Sequence, residues 1–147
     1  MAASIKIGRI LGIPIHLHIT FLIILPLFAW VFSENTTRLL GFELGFGGLD
    51  AGWETKYAFG TAAAIIFFAT ILAHELAHSW TAIRYGVRIK SITLMLFGGV
   101  ASLEDMPKKP GQELTMAFAG PFTSLSIGLG SYAGMTLLNM HSYDSVV

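Results

Sequence analysis

Cysteine is absent from the 147-residue chain, which removes disulfides, thiolate metal ligands and cysteine nucleophiles together. Any metal must therefore rest on nitrogen and oxygen. Charge is scarce too: Asp, Glu, Lys and Arg make up 12% of the residues, about half of the roughly 25% usual in a soluble domain. Nine basic and nine acidic residues cancel, so no net field draws the chain to nucleic acid. Repeats and low-complexity tracts are also missing. Apolar side chains, at 54%, are in excess, and a chain of one domain's length with this composition needs a hydrocarbon solvent. The lipid bilayer is thus its first expected partner.

Three stretches meet the roughly 20 apolar residues that a bilayer-crossing helix requires. They predict an all-α integral membrane protein with three transmembrane helices, at about 13–32, 57–83 and 114–138. Lys6 and Arg9 precede the first, but its apolar run exceeds a signal-peptide core and no small-residue cleavage site follows, which predicts a retained anchor. In the third, Gly130 and Gly134 are spaced for close helix approach. Ser91 to Leu103, SITLMLFGGVASL, is apolar but too short to span. Its strand-forming residues predict a strand-like or re-entrant segment between the second and third helices. Asp105 to Gln112 is a turn-rich linker. Lys6, Arg9, Arg84, Arg88, Lys90, Lys108 and Lys109 fall on one side of this arrangement, and only Arg38 and Lys56 on the other. That asymmetry predicts a cytoplasmic amino terminus.

Chemistry concentrates in ILAHELAHS, Ile71 to Ser79, where His74, Glu75 and His78 form H-E-x-x-H. Residues four apart lie on one helix face, about 6 Å apart along the axis, so both imidazoles can converge on one zinc ion. The carboxylate of Glu75 cannot easily join that set, but it can reach a water on the metal as a general base. Two competing explanations are chance and a pair of buried histidines that merely hydrogen-bond to neighbouring helices. A chance match arises roughly once in 150 sequences of this composition, and an ionisable residue in mid-span costs roughly 2.5–3.5 kcal/mol. The metal reading is favoured.

Other features attract milder expectations. His16 and His18 are two apart, poor helix spacing for shared ligation. Gly45, Gly47 and Gly48 lack the Lys-Ser or Lys-Thr of a phosphate loop, and Asn35-Thr36-Thr37 matches a short, common glycosylation pattern. Lys108 and Lys109 are expected to anchor at the interface.

HELAH at His74 to His78, GIPIHLHIT from Gly12, LFGGVA from Leu96 and AGPFTS from Ala119 occur in the order seen in a known family. With them the chain resembles the site-2 protease family of intramembrane zinc metalloproteases, in particular its compact microbial members. The resemblance implies that His74 and His78 bind one zinc ion, that Glu75 activates the hydrolytic water, and that the chain resides in a microbial cytoplasmic membrane. It also implies a third ligand, an aspartate in an Asp-Gly motif on a following transmembrane helix, expected beyond Val147. Asp144 has no following glycine and is not assigned. Ser124 stands where many members carry asparagine. The implied activity is zinc-dependent endoproteolysis of single-span membrane proteins. A helical substrate must open locally before cleavage, and pairing its exposed backbone with a strand would satisfy the freed groups. Phe97, Gly98, Gly99 and Val100 are the candidate strand, with Ser124 as a further candidate contact. The alternative is a truncated, non-catalytic membrane relative that binds metal or partner helices. Transport is disfavoured, because Phe59 to Ala69 is apolar apart from Thr61 and offers no polar path.

Overall fold

The computed structural model describes residues 4–39, 42–96, 98–104 and 109–144. Near the amino terminus apolar residues recur every second position, and the chain is extended there. Strand β1 (Ser4–Ile10) pairs antiparallel with β2 (Ile13–His18) across Leu11 and Gly12, both at positive φ, the twist a two-residue hairpin loop favours. On β2, Ile13 and Ile15 are buried and Leu17 packs against the core, while His16 and His18 alternate with them. Helix α1 (Phe21–Glu34) follows, then a small hairpin of β3 (Thr37–Leu39) and β4 (Phe42–Leu44) carrying an Arg38–Glu43 ion pair. Helix α2 (Trp53–Arg84) is a 32-residue apolar helix; β5 (Ile89–Met95), β6 (Gly98–Leu103) and α3 (Pro110–Asp144) complete the described chain.

Helix α2 is bounded by recognisable chemistry. Glu54 lies in its first turn and Arg84 in its last, each complementing the helix dipole. Its end is a Schellman turn: Gly86 N–H donates to Ile83 O and Val87 N–H to Ala82 O, with Gly86 at φ +82°. Buried Val87 then leads into β5, so this stop aims the returning chain at α2's own flank.

The main sheet has the order β1-β2-β5-β6, with β2 and β5 parallel and the outer pairs antiparallel. Its apolar face, through Ile13, Ile15 and Ile92, packs on Leu72 and Leu76 of α2. A second cluster of Phe21, Ile24, Phe68 and Leu94 joins α1, α2 and β5. Thr20, at the corner between β2 and α1, ties these units together: its Oγ1 accepts from Leu96 N–H at 3.2 Å and lies 2.9 Å from His18 Nδ1.

The expected all-α, three-helix membrane architecture is therefore wrong. The described chain mixes three helices with two sheets, and among the described residues only α2 is long and apolar enough to cross a membrane. The stretch expected as one helix over 13–32 divides into β2 and a 14-residue α1. Averaged hydropathy registers apolar content and is blind to whether its period is two or 3.6. The stretch at 114–138 is helical, but glycine, serine and threonine dilute its apolar content.

Candidate functional site

Helical geometry divides one stretch of α2 among three neighbours. Leu72 and Leu76 face the sheet. His74 and His78, two residues on from each, lie about 200° round the helix at 100° per residue and meet α3 instead. Glu75 falls between the two directions and faces β6, where a Cβ on Gly99 would collide with its Cγ and lie 3.2 Å from its Cδ. The apolar packing of the sheet thus orients the polar residues.

The two imidazoles converge. Their Nε2 atoms are 3.0 Å apart and their rings are edge to face. His78 Nδ1 donates to the main-chain carbonyl of Met116 at 2.6 Å, so in the neutral ring the lone pair is on Nε2, which faces His74. His74 Nδ1 lies 2.9 Å from Ser124 Oγ. A hydroxyl both donates and accepts, so Ser124 can partner His74 while its Nε2 proton points at His78, and equally after that proton has moved to Nδ1. Between these two contacts sits Gly120, where a Cβ would run into both Nε2 atoms. Met116, Gly120 and Ser124 are spaced four apart on α3, and the order of their contacts, Met116 with His78 and Ser124 with His74, shows that the helices run antiparallel.

These atoms fit zinc as a two-ligand set. Two nitrogens each about 2.0–2.1 Å from one tetrahedral zinc stand roughly 3.3 Å apart, close to the 3.0 Å observed, and both second ring nitrogens already have partners. Among the described residues no third His, Asp or Glu joins them.

Two clefts, each of ≈ 380 Å³, flank the pair. One is lined by Thr70, His74, Glu75, Gly98, Gly99 and Ser124, among others. The other is walled chiefly by Glu75, His78, Ser79, Val100, Leu103 and Met116. Glu75 and Gly99 border both. The structure thus brings His74, Glu75, His78, Gly98, Gly99, Val100 and Ser124 to one place; Phe97 lies outside the described residues. It separates His16 and His18, which sit on the sheet with His18 Nδ1 engaged by Thr20.

The family model described as Peptidase family M50 matches residues 62–144, more than half of the chain. The chain belongs to peptidase family M50. The family resemblance drawn from the four motifs is borne out. Among M50 relatives, a Synechocystis protein described as a candidate zinc metalloprotease is 38% identical over 130 residues, which are 88% of this chain and 32% of that protein. A Mycobacterium tuberculosis protein of like description is 39% identical, covering 86% and 30%. The solved site-2 protease from Methanocaldococcus jannaschii superposes with a TM-score of 0.60 at 34% identity, over 86% of this chain and 48% of that one. This M50 chain thus spans about a third of the length of the curated relatives it matches.

Two parts of the site escape motif reading. The Met116 carbonyl is main chain and leaves no trace in residue type. Gly120 belongs to the quoted AGPFTS, yet its place above both imidazoles emerges only when Met116, Gly120 and Ser124 are read as one stripe.

Proposed function

We propose that this protein is a zinc-dependent endopeptidase acting on membrane-spanning proteins, with His74 and His78 as two ligands of one zinc ion and Glu75 as general base. The observation that carries the reading is the convergence of the two Nε2 atoms beside a carboxylate that borders both clefts. The chemistry supplied by zinc at this place is Lewis acidity, which brings the pKa of water towards about 7 and polarises a peptide carbonyl. Glu75 takes the proton of the attacking water and passes it to the departing amide nitrogen. Met116 and Ser124 hold the imidazoles in position.

Membrane residence is supported by α2 and its surroundings. Trp53 and Tyr57 mark one end, and Trp80, under the Arg84 guanidinium, marks the other. Trp53 and Trp80 are about 40 Å apart along a helix rising 1.5 Å per residue, close to the roughly 40–45 Å of a bilayer with its headgroups, where aromatic and basic residues anchor. Between them Ile65 and Ile66 are exposed, as are Leu22 and Ile23 on α1 and Phe118 and Phe122 on α3, surfaces suited to lipid. The main sheet, with Lys6, Arg9, Arg88 and Lys90 on or beside it, belongs on the cytoplasmic side. Strand β6 is a sheet edge beside Glu75, so a locally unwound substrate gains backbone partners by adding to it. Single-span membrane proteins are the substrate class that this arrangement suits.

Glu75→Gln tests the reading, because the amide keeps shape and loses basicity. In the protein of full natural length, purified in detergent, cleavage of a single-span model substrate should fall about 10²–10⁴-fold with zinc content retained. Near wild-type cleavage would remove Glu75 from the mechanism. A non-catalytic relative, favoured by the count of two ligands among the described residues, would bind zinc and cleave nothing even as wild type.

A further inference from the structure

Several hydroxyl groups on these helices share one solution. Ser33 Oγ donates to Ala29 O at 2.6 Å, Thr81 Oγ1 to Ala77 O at 2.8 Å and Thr123 Oγ1 to Ala119 O at 2.9 Å, each four residues back. Ser79, one turn beyond Glu75, departs from it. It is 1% exposed, and its Oγ has no hydrogen-bond partner, a costly state for a buried hydroxyl. Ser79 lines the cleft that begins at Glu75 and His78 and continues between apolar walls, among them Ile89, Ala101 and Leu103.

We propose that this cleft is a subsite for one substrate side chain with an apolar body and a hydrogen-bonding tip, tyrosine or threonine, and that Ser79 Oγ is its specificity-determining anchor. The proposal rests on the peptidase reading above. At ≈ 380 Å³ the space far exceeds the roughly 30 Å³ of a water molecule, and walls so apolar suit a side chain. The sheet supplies the register. Gly99, Ala101 and Leu103 alternate along β6 and all line this cleft, which the half-exposed Val100 also borders, and residues of an added strand share the face of those they pair with. Gly99 touches Glu75, so the substrate residue level with it lies nearest the reacting centre. The residue level with Ala101, two positions along, enters the cleft. A wholly apolar side chain there leaves Ser79 unpaired, and an acidic one meets the Glu75 carboxylate.

The test uses the protein of full natural length in detergent. A single-span substrate is varied one position at a time around its cleavage site, in the pairs Tyr/Phe and Thr/Val. Wild type should prefer Tyr over Phe and Thr over Val at one position by about fivefold in kcat/KM, the worth of one neutral hydrogen bond, and Ser79→Ala should bring both ratios to about one. Identical ratios in the two proteins would overturn the proposal. Thermal unfolding supplies a second reading: removing a hydroxyl without a partner should not lower the midpoint, and a Ser79→Ala protein that unfolds earlier would mark the hydroxyl as structural and overturn the proposal. Absence of cleavage by wild type would sink the peptidase reading alone. The Tyr-to-Phe ratio in photo-cross-linking of the substrate to Glu75→Gln protein, with and without Ser79→Ala, would then decide the subsite.

Discussion

Gly120 is the position where the smallest possible change should do most to the proposed metal site. In Gly120→Ala the new methyl would lie 2.5 Å from His74 Nε2 and 2.6 Å from His78 Cε1, distances that real Cβ contacts, which stay above 3.0 Å, do not show. His78 Nε2 would be closer still, so either the imidazoles or α3 must retreat by more than half an ångström. Zinc–ligand distances tolerate roughly 0.2 Å, so displaced imidazoles no longer fit one ion. If α3 retreats instead, the 2.6 Å bond from His78 to Met116 and the 2.9 Å contact of His74 with Ser124 lengthen together, because all three positions lie on one stripe. Loss of such outer partners lowers metal affinity about 10–100-fold. Overpacking costs roughly 1–3 kcal/mol, less than the 5–15 kcal/mol by which domains are typically stable, so the variant should stay folded. Competition with a chromophoric chelator reads the zinc affinity, and circular dichroism checks the helices. A Gly120→Ala protein binding zinc within twofold of wild type would refute the placement of α3 over the imidazoles.

Ser124→Ala removes the partner of His74 Nδ1 and should weaken zinc about tenfold, with Ser124→Thr restoring most of the affinity; unchanged binding by the alanine variant would show that the hydroxyl does not position His74. Gly99→Val drives a side chain into Glu75 and should lower kcat by about 10²-fold, as misplacement by 1 Å can, while leaving zinc affinity intact; a variant that loses zinc instead would mean that β6 supports the imidazoles. Cysteines at Asp50, before α2, and at Arg88, beyond it, should react with impermeant reagents from opposite sides of the membrane. Labelling of both from one side would mean that α2 does not cross.

Legibility differed by element for physical reasons. Helix α2 was readable because its apolar run and its i, i+4 histidines demand the same conformation; the expected 57–83 lies within the observed Trp53–Arg84. The amino-terminal sheet is less legible although its signal is present. Ile13, Ile15 and Leu17 alternate with Pro14, His16 and His18, a period of two that a window of about 20 residues averages away. Pairing of β2 with β5 joins residues more than 70 positions apart, Ile15 with Ile92, and no local pattern encodes that partnership. In the site, the residue types on α2 were legible, whereas their partners on α3 depend on helix packing and on a main-chain carbonyl.

An i, i+4 pair is what one helix face offers a single metal ion, and the neighbours of α2 show how little else is open to it. The Leu72 and Leu76 face is closed by the sheet, and Glu75 is turned towards β6. Opposite the imidazoles, the stripe on α3 presents a carbonyl bonded to His78, a glycine and a hydroxyl bonded to His74. None of these is a spare nitrogen or carboxylate ligand. A catalytic zinc generally has three protein ligands and one water, and the described residues bring two to this place. The cleft bounded by Thr70, His74 and Glu75 of α2, Gly98 and Gly99 of β6 and Ser124 of α3 opens beside His74. On the zinc reading proposed above, a third ligand from outside the described residues would approach through that cleft, next to His74, and the apolar cleft beyond His78 would stay free for substrate.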